Sequence, residues 1–293
     1  MASSLSEEGR LLCACNLAFA PAVRGRPGDF RPFNEAAGFL EPPSLLAAGP
    51  LGIDAALVGR SAAGVVLAFR GTLPGPEIGD PLAIVADWAE TFETRLRAGG
   101  GFPGRVHAGF LRAFEACWPG VKTQVEQALA APGPRRLVVT GYSKGGVLAF
   151  LAACNVVQEG LLPGGAVSVC TFAAPRPGDA GFERAYDARV PDTRRFEWRD
   201  DPAPHLPGYR RPGSTAPPSE YRPVGELRFI DWNGDIVGDS PALQAERARR
   251  FQAMLDGGHF GQILKAHRID CGSGYLTALC PPDLCAGCKA EVV

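Results

Sequence analysis

One stretch of the chain, residues 137–158, narrows the choice of fold more than any other. Residues 137–140 form a continuous apolar run, which is typical of a strand buried on both faces. A Gly-Tyr-Ser-Lys-Gly turn follows, and Lys144–Gln158 then carries apolar residues on nearly every side of a helix. A strand and a helix that are both fully buried predict a sheet covered by helices on its two faces.

The same alternation continues on either side of this stretch. Strands are predicted at residues 55–59, 65–69, 166–172, 193–198 and 226–232, and helices at residues 109–131, with a kink at Pro119, and 241–255. The first two strands are predicted to form a hairpin. Buried strands that alternate with helices imply a mostly parallel sheet with right-handed crossovers. No linker or repeat interrupts the chain, so residues 1–293 are predicted to form one domain.

Composition excludes several classes of protein. Hydrophobic residues make up 46% of the chain and charged residues 21%, a balance typical of globular proteins rather than of disordered ones. The 30 Lys and Arg against 31 Asp and Glu give a net charge of −1, so no nucleic-acid partner is expected. No apolar run reaches the roughly 18 residues that a transmembrane helix needs.

Residues 11–23 are apolar enough to suggest either a signal peptide or a buried N-terminal helix. Glu7 and Glu8 stand where a signal peptide carries positive charge, which favours the helix. The sequence therefore leaves two alternatives open: the protein stays in the cytoplasm, or it is exported by a route that does not use such a signal.

The nine cysteines fall into two groups. Five lie within apolar patterns and are interpreted as small core residues: Cys13, Cys15, Cys117, Cys154 and Cys170. The others lie in a C-terminal tail, residues 271–293, and are Cys271, Cys280, Cys285 and Cys288. Their state stays open between a zinc site, one or two disulfides, and plain thiols.

Residues 141–145 have the pattern Gly-x-Ser-x-Gly, which is weak evidence by itself. Its place between a buried strand and a buried helix makes Ser143 a candidate nucleophile, because a strained turn there raises the hydroxyl above the sheet. A serine nucleophile also needs a histidine base and an orienting carboxylate, and in this architecture they follow in the order acid, then histidine.

His107 precedes the serine and so fails that order, and His205 lies too close to the acidic candidates to act separately. The remaining candidates are His259 and His267 as bases, and Asp200 and Asp201, at the carboxyl edge of the sheet, as acids.

A series of motifs, in order along residues 51–279, extends beyond these candidates. They are Phe69-Arg70-Gly71-Thr72, Asp87-Trp88, Val106-His107-Ala108-Gly109-Phe110, the Ser143 turn, residues 171–178, residues 201–207, and His267 followed by Tyr275. This series resembles the class 3 lipases, the fungal-lipase-like branch of the α/β-hydrolases. The resemblance implies an α/β-hydrolase fold, a mostly parallel central sheet flanked by helices, and a reaction that requires no metal or organic cofactor.

The resemblance also implies a role for each site residue. Ser143 would be the nucleophile, Asp201 the carboxylate and His267 the base, with His259 as the alternative base. Thr72 and Lys144 would supply the amides of the oxyanion hole. Residues 73–86 would form the lid, either a moving segment or a fixed loop. His107 and His205 would be structural.

Three departures from the family stand out. Tyr142 occupies a place where the family usually has His, and Lys144 one where it more often has Leu. The stretch between His267 and Tyr275 is longer than usual. A cation at Lys144 would favour anionic or phospholipid substrates.

These residues together predict a serine carboxylic-ester hydrolase, a lipase or esterase that acts on acylglycerols or other fatty-acyl esters at a lipid–water interface. Two alternatives stay open. One is a phospholipase, including a toxin delivered to other cells, and the other is a non-catalytic binding module with the same fold.

Overall fold

The computed structural model of the protein describes residues 5–19, 35–48, 54–72, 95–209, 219–258, 265–269 and 274–280. Within these ranges the strands are β1 Ser44–Ala48, β2 Asp54–Ser61, β3 Gly64–Phe69, β4 Leu96–Arg97, β5 Val106–His107, β6 Leu137–Tyr142, β7 Val167–Phe172, β8 Gly178–Asp179, β9 Thr193–Trp198, β10 Tyr221–Arg222, β11 Glu226–Ile230 and β12 Ile236–Val237. The α-helices are α1 Glu7–Leu17, α2 Ala108–Ala130, α3 Lys144–Gln158, α4 Ala180–Arg189, α5 Pro241–Asp256 and α6 Tyr275–Leu279.

The central sheet has eight strands in the order β1-β2-β3-β6-β7-β9-β11-β12. The five strands from β3 to β11 in this order are parallel to one another. The outer strands β1, β2 and β12 pair antiparallel, and β2 and β3 form the predicted hairpin. The α/β architecture with a mostly parallel sheet is therefore confirmed.

Alternate residues of the inner strands face two separate cores. Val65, Leu67 and Phe69 of β3 pack with helices α2 and α3 on one side of the sheet. Val66 and Ala68 pack on the opposite side, with helices α1 and α6. This two-sided burial explains why the strands read as continuous apolar runs rather than as alternating patterns.

Helix α1 confirms the buried N-terminal helix within the part of the chain that the structure describes. Ser6 caps it by accepting a hydrogen bond from the Gly9 amide, and most of its residues are buried. Glu7 and Glu8 lie in the first turn, where acidic side chains stabilise the helix by interacting with the positive end of its dipole. No described helix is long and apolar enough to cross a bilayer.

The cysteines predicted to be core residues are all buried. Four of them are free thiols, as is Cys280. Cys13, however, is part of a disulfide bond, so its interpretation as a plain core residue was incomplete. Cys271, Cys285 and Cys288 lie outside the described residues, and the prediction for the tail is therefore untested at those positions.

The sequence patterns did not predict a second, four-stranded sheet in the order β10-β8-β5-β4, nor helix α4. Each strand of this sheet has two residues, which is too short for a periodic pattern. Helix α2, in contrast, matches its prediction closely and continues through Pro119 without interruption.

Candidate active site

Ser143 lies in a sharp turn between β6 and α3, and the glycines around it are sterically required. The serine has φ 55° and ψ −127°, a conformation that L-residues rarely adopt. A Cβ on Gly141 would lie 2.0 Å from the Gly145 carbonyl oxygen, and one on Gly145 would lie 2.4 Å from the Arg70 carbonyl oxygen. Only glycine fits at either position, so the pentapeptide pattern has a steric cause.

His267 connects Ser143 to Asp201 through both of its ring nitrogens. Nε2 lies 2.9 Å from Ser143 Oγ, and Nδ1 lies 2.9 Å from Asp201 Oδ1. A carboxylate can only accept, so Nδ1 must carry a proton that it donates to Asp201. In the neutral ring Nε2 therefore presents its lone pair to the serine hydroxyl.

The Asp201 carboxylate is almost fully buried and makes three hydrogen bonds. Oδ1 accepts from the Ala203 amide at 2.9 Å as well as from His267. Oδ2 accepts from the Tyr275 hydroxyl at 2.6 Å. Tyr275 Oη in turn accepts from the Trp198 amide at 3.0 Å. A buried charge is tolerated when its oxygens are hydrogen-bonded, and this set satisfies both oxygens.

Burial, and then the neighbouring Asp201, raise the pKa of Tyr275 well above its usual value. The phenol therefore stays protonated and remains a donor to the carboxylate. Sequence reasoning noted Tyr275 only as part of a motif and missed this contact. The sequence signal for it was a tyrosine that follows the histidine in chain order. The longer spacing between His267 and Tyr275 made the contact with Asp201 hard to predict.

Asp200 is turned away from the histidine. Its carboxylate is held by the Arg250 guanidinium at 2.7 and 2.9 Å and by the Trp232 indole N–H at 3.1 Å. Strand β9 ends at Trp198, so the two aspartates lie in the turn that follows it, where Arg199 has φ 38°. The two side chains diverge because of this turn, not because of strand alternation.

His107 and His205 have the structural roles that the sequence predicted. His107 caps α2, because its Nδ1 accepts from the Gly109 and Phe110 amides at 3.2 and 3.3 Å. His205 is stacked on Phe251, with ring centroids 4.7 Å apart. His259, the alternative base, lies outside the described residues.

Lys144 follows Ser143 in the chain, and Thr72 follows Gly71, which packs against the serine turn. Gly71 packs so closely on the turn that a Cβ there would be 2.9 Å from the Tyr142 ring and 3.2 Å from Ser143 Cβ, and Thr72 is the next residue. Lys144 is the first residue of α3, where main-chain amides point out of the helix. Asp87, Trp88 and residues 73–86 lie outside the described residues.

Among the described residues, no group of three or more His, Cys, Asp and Glu side chains is arranged to hold a metal ion.

Replacing Tyr275 with Phe is expected to lower kcat by roughly tenfold to a hundredfold, because the imidazole loses its fixed partner when Asp201 loses a donor. The change also leaves the Trp198 amide without an acceptor, and unfolding should become easier by about 1–3 kcal/mol. Kinetics on a soluble ester and a thermal melt measure the two effects. A kcat equal to that of the wild type would show that Tyr275 does not help to hold Asp201.

Three buried groups predict loss of stability in acid. Burial, with Arg247, lowers the pKa of His205 to about 3, and burial, with Arg112, lowers that of His107 to about 4. Burial alone would raise the pKa of Glu197, but Arg247 and Arg195 outweigh it and lower it to about 2. All three values lie below those of the unfolded chain, so the unfolded state binds more protons as the pH falls.

The stability that neutral His107 and His205 contribute should be fully present above pH ~6.5. It should be lost as the pH falls towards ~4 for His107 and ~3 for His205, and Glu197 should add a further loss of stability below pH ~4.5. Each group contributes at most about 1.4 kcal/mol per pH unit. We expect the melting temperature to fall steadily below pH ~6.5, and His205→Phe, which keeps a ring against Phe251, to flatten that fall. The same slope in both proteins would contradict the assignment of His205.

The fold and the site together define a class of protein. A mostly parallel sheet carries a strained serine turn after a central strand, and Ser143, Asp201 and His267 occur along the chain in the serine–acid–histidine order that α/β-hydrolases use.

Comparison with known proteins specifies the family. Residues 66–210, about half of the chain, match the family model described as lipase (class 3), and over this range the chain is similar to that family. A lipase of Caenorhabditis elegans is 33% identical over 159 residues, which are 53% of this chain and 41% of the relative. A phospholipase A1 of Oryza sativa is 30% identical over 66% of this chain and 50% of the relative. The chain thus spans half or less of the length of these two curated relatives.

Among solved structures, the triacylglyceride lipase of Rhizomucor miehei superposes with a TM-score of 0.63. The match covers 79% of this chain and 82% of that one, at 19% identity. At this level of identity the likeness supports the α/β-hydrolase fold.

Proposed function

We propose that the protein is a serine carboxylic-ester hydrolase that cleaves fatty-acyl esters through an acyl-enzyme. The observation that carries the proposal is the hydrogen-bonded relay from Ser143 Oγ through the His267 imidazole to Asp201. The relay is buried at its acidic end, and its histidine presents an acceptor to the serine, as a general base must.

In the proposed mechanism the Ser143 hydroxyl attacks the ester carbonyl carbon as His267 Nε2 takes its proton. Asp201 holds the ring in the required tautomer and stabilises the imidazolium that forms. His267 then gives the proton to the leaving alcohol, which leaves an acyl-enzyme. Water, deprotonated by the same imidazole, attacks the acyl-enzyme and releases the acid and free Ser143.

The negative charge of the tetrahedral intermediate would be held by backbone amides of Lys144 and Thr72, with the Thr72 hydroxyl as a further donor. Their positions at the start of α3 and beside Gly71 support this assignment. The dipole of α3 adds positive potential at the same point. Oxyanion donors of this kind contribute about 2.7–4 kcal/mol each.

For the substrate class we propose acylglycerols and related fatty-acyl esters at a lipid–water interface. The sequence similarity to the Caenorhabditis elegans lipase, 33% identity over 159 residues, supports this class. A phospholipase is the second candidate, because the rice relative is a phospholipase A1 and the half-buried Lys144 places a cation next to the nucleophile.

The test combines a covalent probe with matched substrates. A fluorophosphonate should label the wild-type protein at Ser143, and p-nitrophenyl esters from acetate to palmitate should be hydrolysed. Triolein and dioleoylphosphatidylcholine, presented in the same detergent micelles, then separate a lipase from a phospholipase. Preference for the phospholipid that is lost in Lys144→Leu would support the second candidate. A protein that neither hydrolyses any ester nor reacts with the probe would be a non-catalytic member of the family.

A further inference from the structure

Tyr142, the residue before the nucleophile, contacts the candidate base in two ways. Its hydroxyl donates to the main-chain carbonyl of His267 at 2.5 Å. Its ring lies nearly parallel to the imidazole, with centroids 5.2 Å apart and an interplanar angle of 27°. The side chain is buried, and its ring also meets the edge of Tyr275.

These contacts close a ring of interactions around the reacting atoms. Ser143 Oγ is hydrogen-bonded to His267 Nε2, the His267 carbonyl to the Tyr142 hydroxyl, and Tyr142 is joined to Ser143 by a peptide bond. The distance between nucleophile and base is thus set from both sides. A small displacement of either group would have to stretch one of these bonds.

The segment that carries His267 is also held by main-chain hydrogen bonds. The amides of Tyr275 and Leu276 donate to the carbonyls of Arg268 and Ile269, and so hold the residues after the histidine. Tyr142, in contrast, donates a hydrogen bond to the His267 carbonyl itself and stacks on the imidazole ring.

We propose that Tyr142 is a positioning residue that fixes the His267 backbone through its hydroxyl and the imidazole plane through its ring. This inference rests on the proposed function of Ser143, His267 and Asp201. The family usually has histidine at this position, and a tyrosine reaches further because its hydroxyl stands beyond the ring. Tyr142 is thus a departure from the usual family residue, in a chain whose stretch from His267 to Tyr275 is also longer.

The competing explanation is that Tyr142 only fills space in the core. Removing its hydroxyl distinguishes this explanation from the proposal. Tyr142→Phe keeps the ring and its core contacts but removes the hydrogen bond to His267. Tyr186→Phe is a matched control, because Tyr186 is also fully buried and its hydroxyl is hydrogen-bonded to Thr193 Oγ1 at 3.0 Å, away from the site. Both variants lose one buried hydroxyl.

We expect Tyr142→Phe to lower kcat on p-nitrophenyl butyrate by roughly tenfold to a hundredfold with little change in KM, because a misplaced base slows the chemical step. Tyr186→Phe should keep the wild-type kcat. In proton NMR, the downfield signal of the His267 Nδ1 proton should be sharp in the wild type and in Tyr186→Phe, and broadened or lost in Tyr142→Phe.

A Tyr142→Phe variant with wild-type kcat and a sharp Nδ1 signal would overturn the proposal, as would equal losses in the two variants. The NMR measurement does not require turnover. If the wild type hydrolyses no ester, the proposed function fails, and the signal still shows whether Tyr142 fixes the imidazole.

Discussion

Ser143→Ala is expected to reduce ester turnover by about 10⁴- to 10⁶-fold, the range observed when a nucleophilic serine of this kind is removed. In the proposed mechanism the hydroxyl oxygen is the atom that attacks the ester, and the alanine side chain has no group that can replace it. Alanine retains the Cβ, so the turn at φ 55° bears the same strain in the variant as in the wild type. Circular dichroism and the melting temperature should therefore match those of the wild type.

Ser168→Ala is the control, because Ser168 is a buried serine on β7 that makes no contact with the relay among the described hydrogen bonds. It should keep both turnover and fluorophosphonate labelling, whereas Ser143→Ala should lose both. Residual activity of Ser143→Ala within tenfold of the wild type would end the serine-hydrolase proposal.

Asp201→Asn is expected to lower kcat by up to about 10⁴-fold. Oδ1 accepts from the Ala203 amide and His267 Nδ1, and Oδ2 accepts from the Tyr275 hydroxyl, so the single oxygen of an asparagine amide cannot serve both positions. The negative charge that stabilises the imidazolium is lost, and an NH2 group facing Nδ1 would hold the ring in the wrong tautomer. The loss should therefore appear in kcat on a soluble ester, with KM nearly unchanged.

Asp200→Asn is the matched comparison, since it makes the same chemical change one residue earlier. Its carboxylate binds Arg250 and Trp232 and does not contact His267. We expect turnover to fall by less than about tenfold, with a small loss of stability from the weakened, partly exposed ion pair. Equal losses in the two variants would mean that the assignment of the acid is wrong.

The sequence predicted those parts of the molecule in which a local pattern has a single physical cause. The strand–turn–helix around Ser143 is one such case, because a Cβ on Gly141 would collide with the Gly145 carbonyl, four residues later in the same turn. The bounds of α3 were predicted to the residue for a similar reason, since burial on nearly every side leaves a long apolar run.

What the sequence did not reveal depends on residues distant along the chain. Nothing near Asp200 indicates that Arg250, fifty residues later, holds it away from the histidine. The hydroxyls of Tyr275 and Tyr142 likewise reach Asp201 and His267 only in the folded chain, so the sequence does not reveal these hydrogen bonds. The two-residue strands of the second sheet carry too little pattern to be recognised.

The packing of helix α1 affects the order in which parts of the fold form during synthesis. It is made early, yet it packs on β6, β7 and α6, and Ser6 Oγ lies 3.4 Å from the Leu279 carbonyl oxygen. Contacts between such distant parts of a chain form late. On a translating ribosome, Ser143 and Asp201 emerge well before the helix that carries Tyr275. The contact of Tyr275 with Asp201 therefore forms only after α6 has emerged, and α6 then packs with α1 on one face of the sheet.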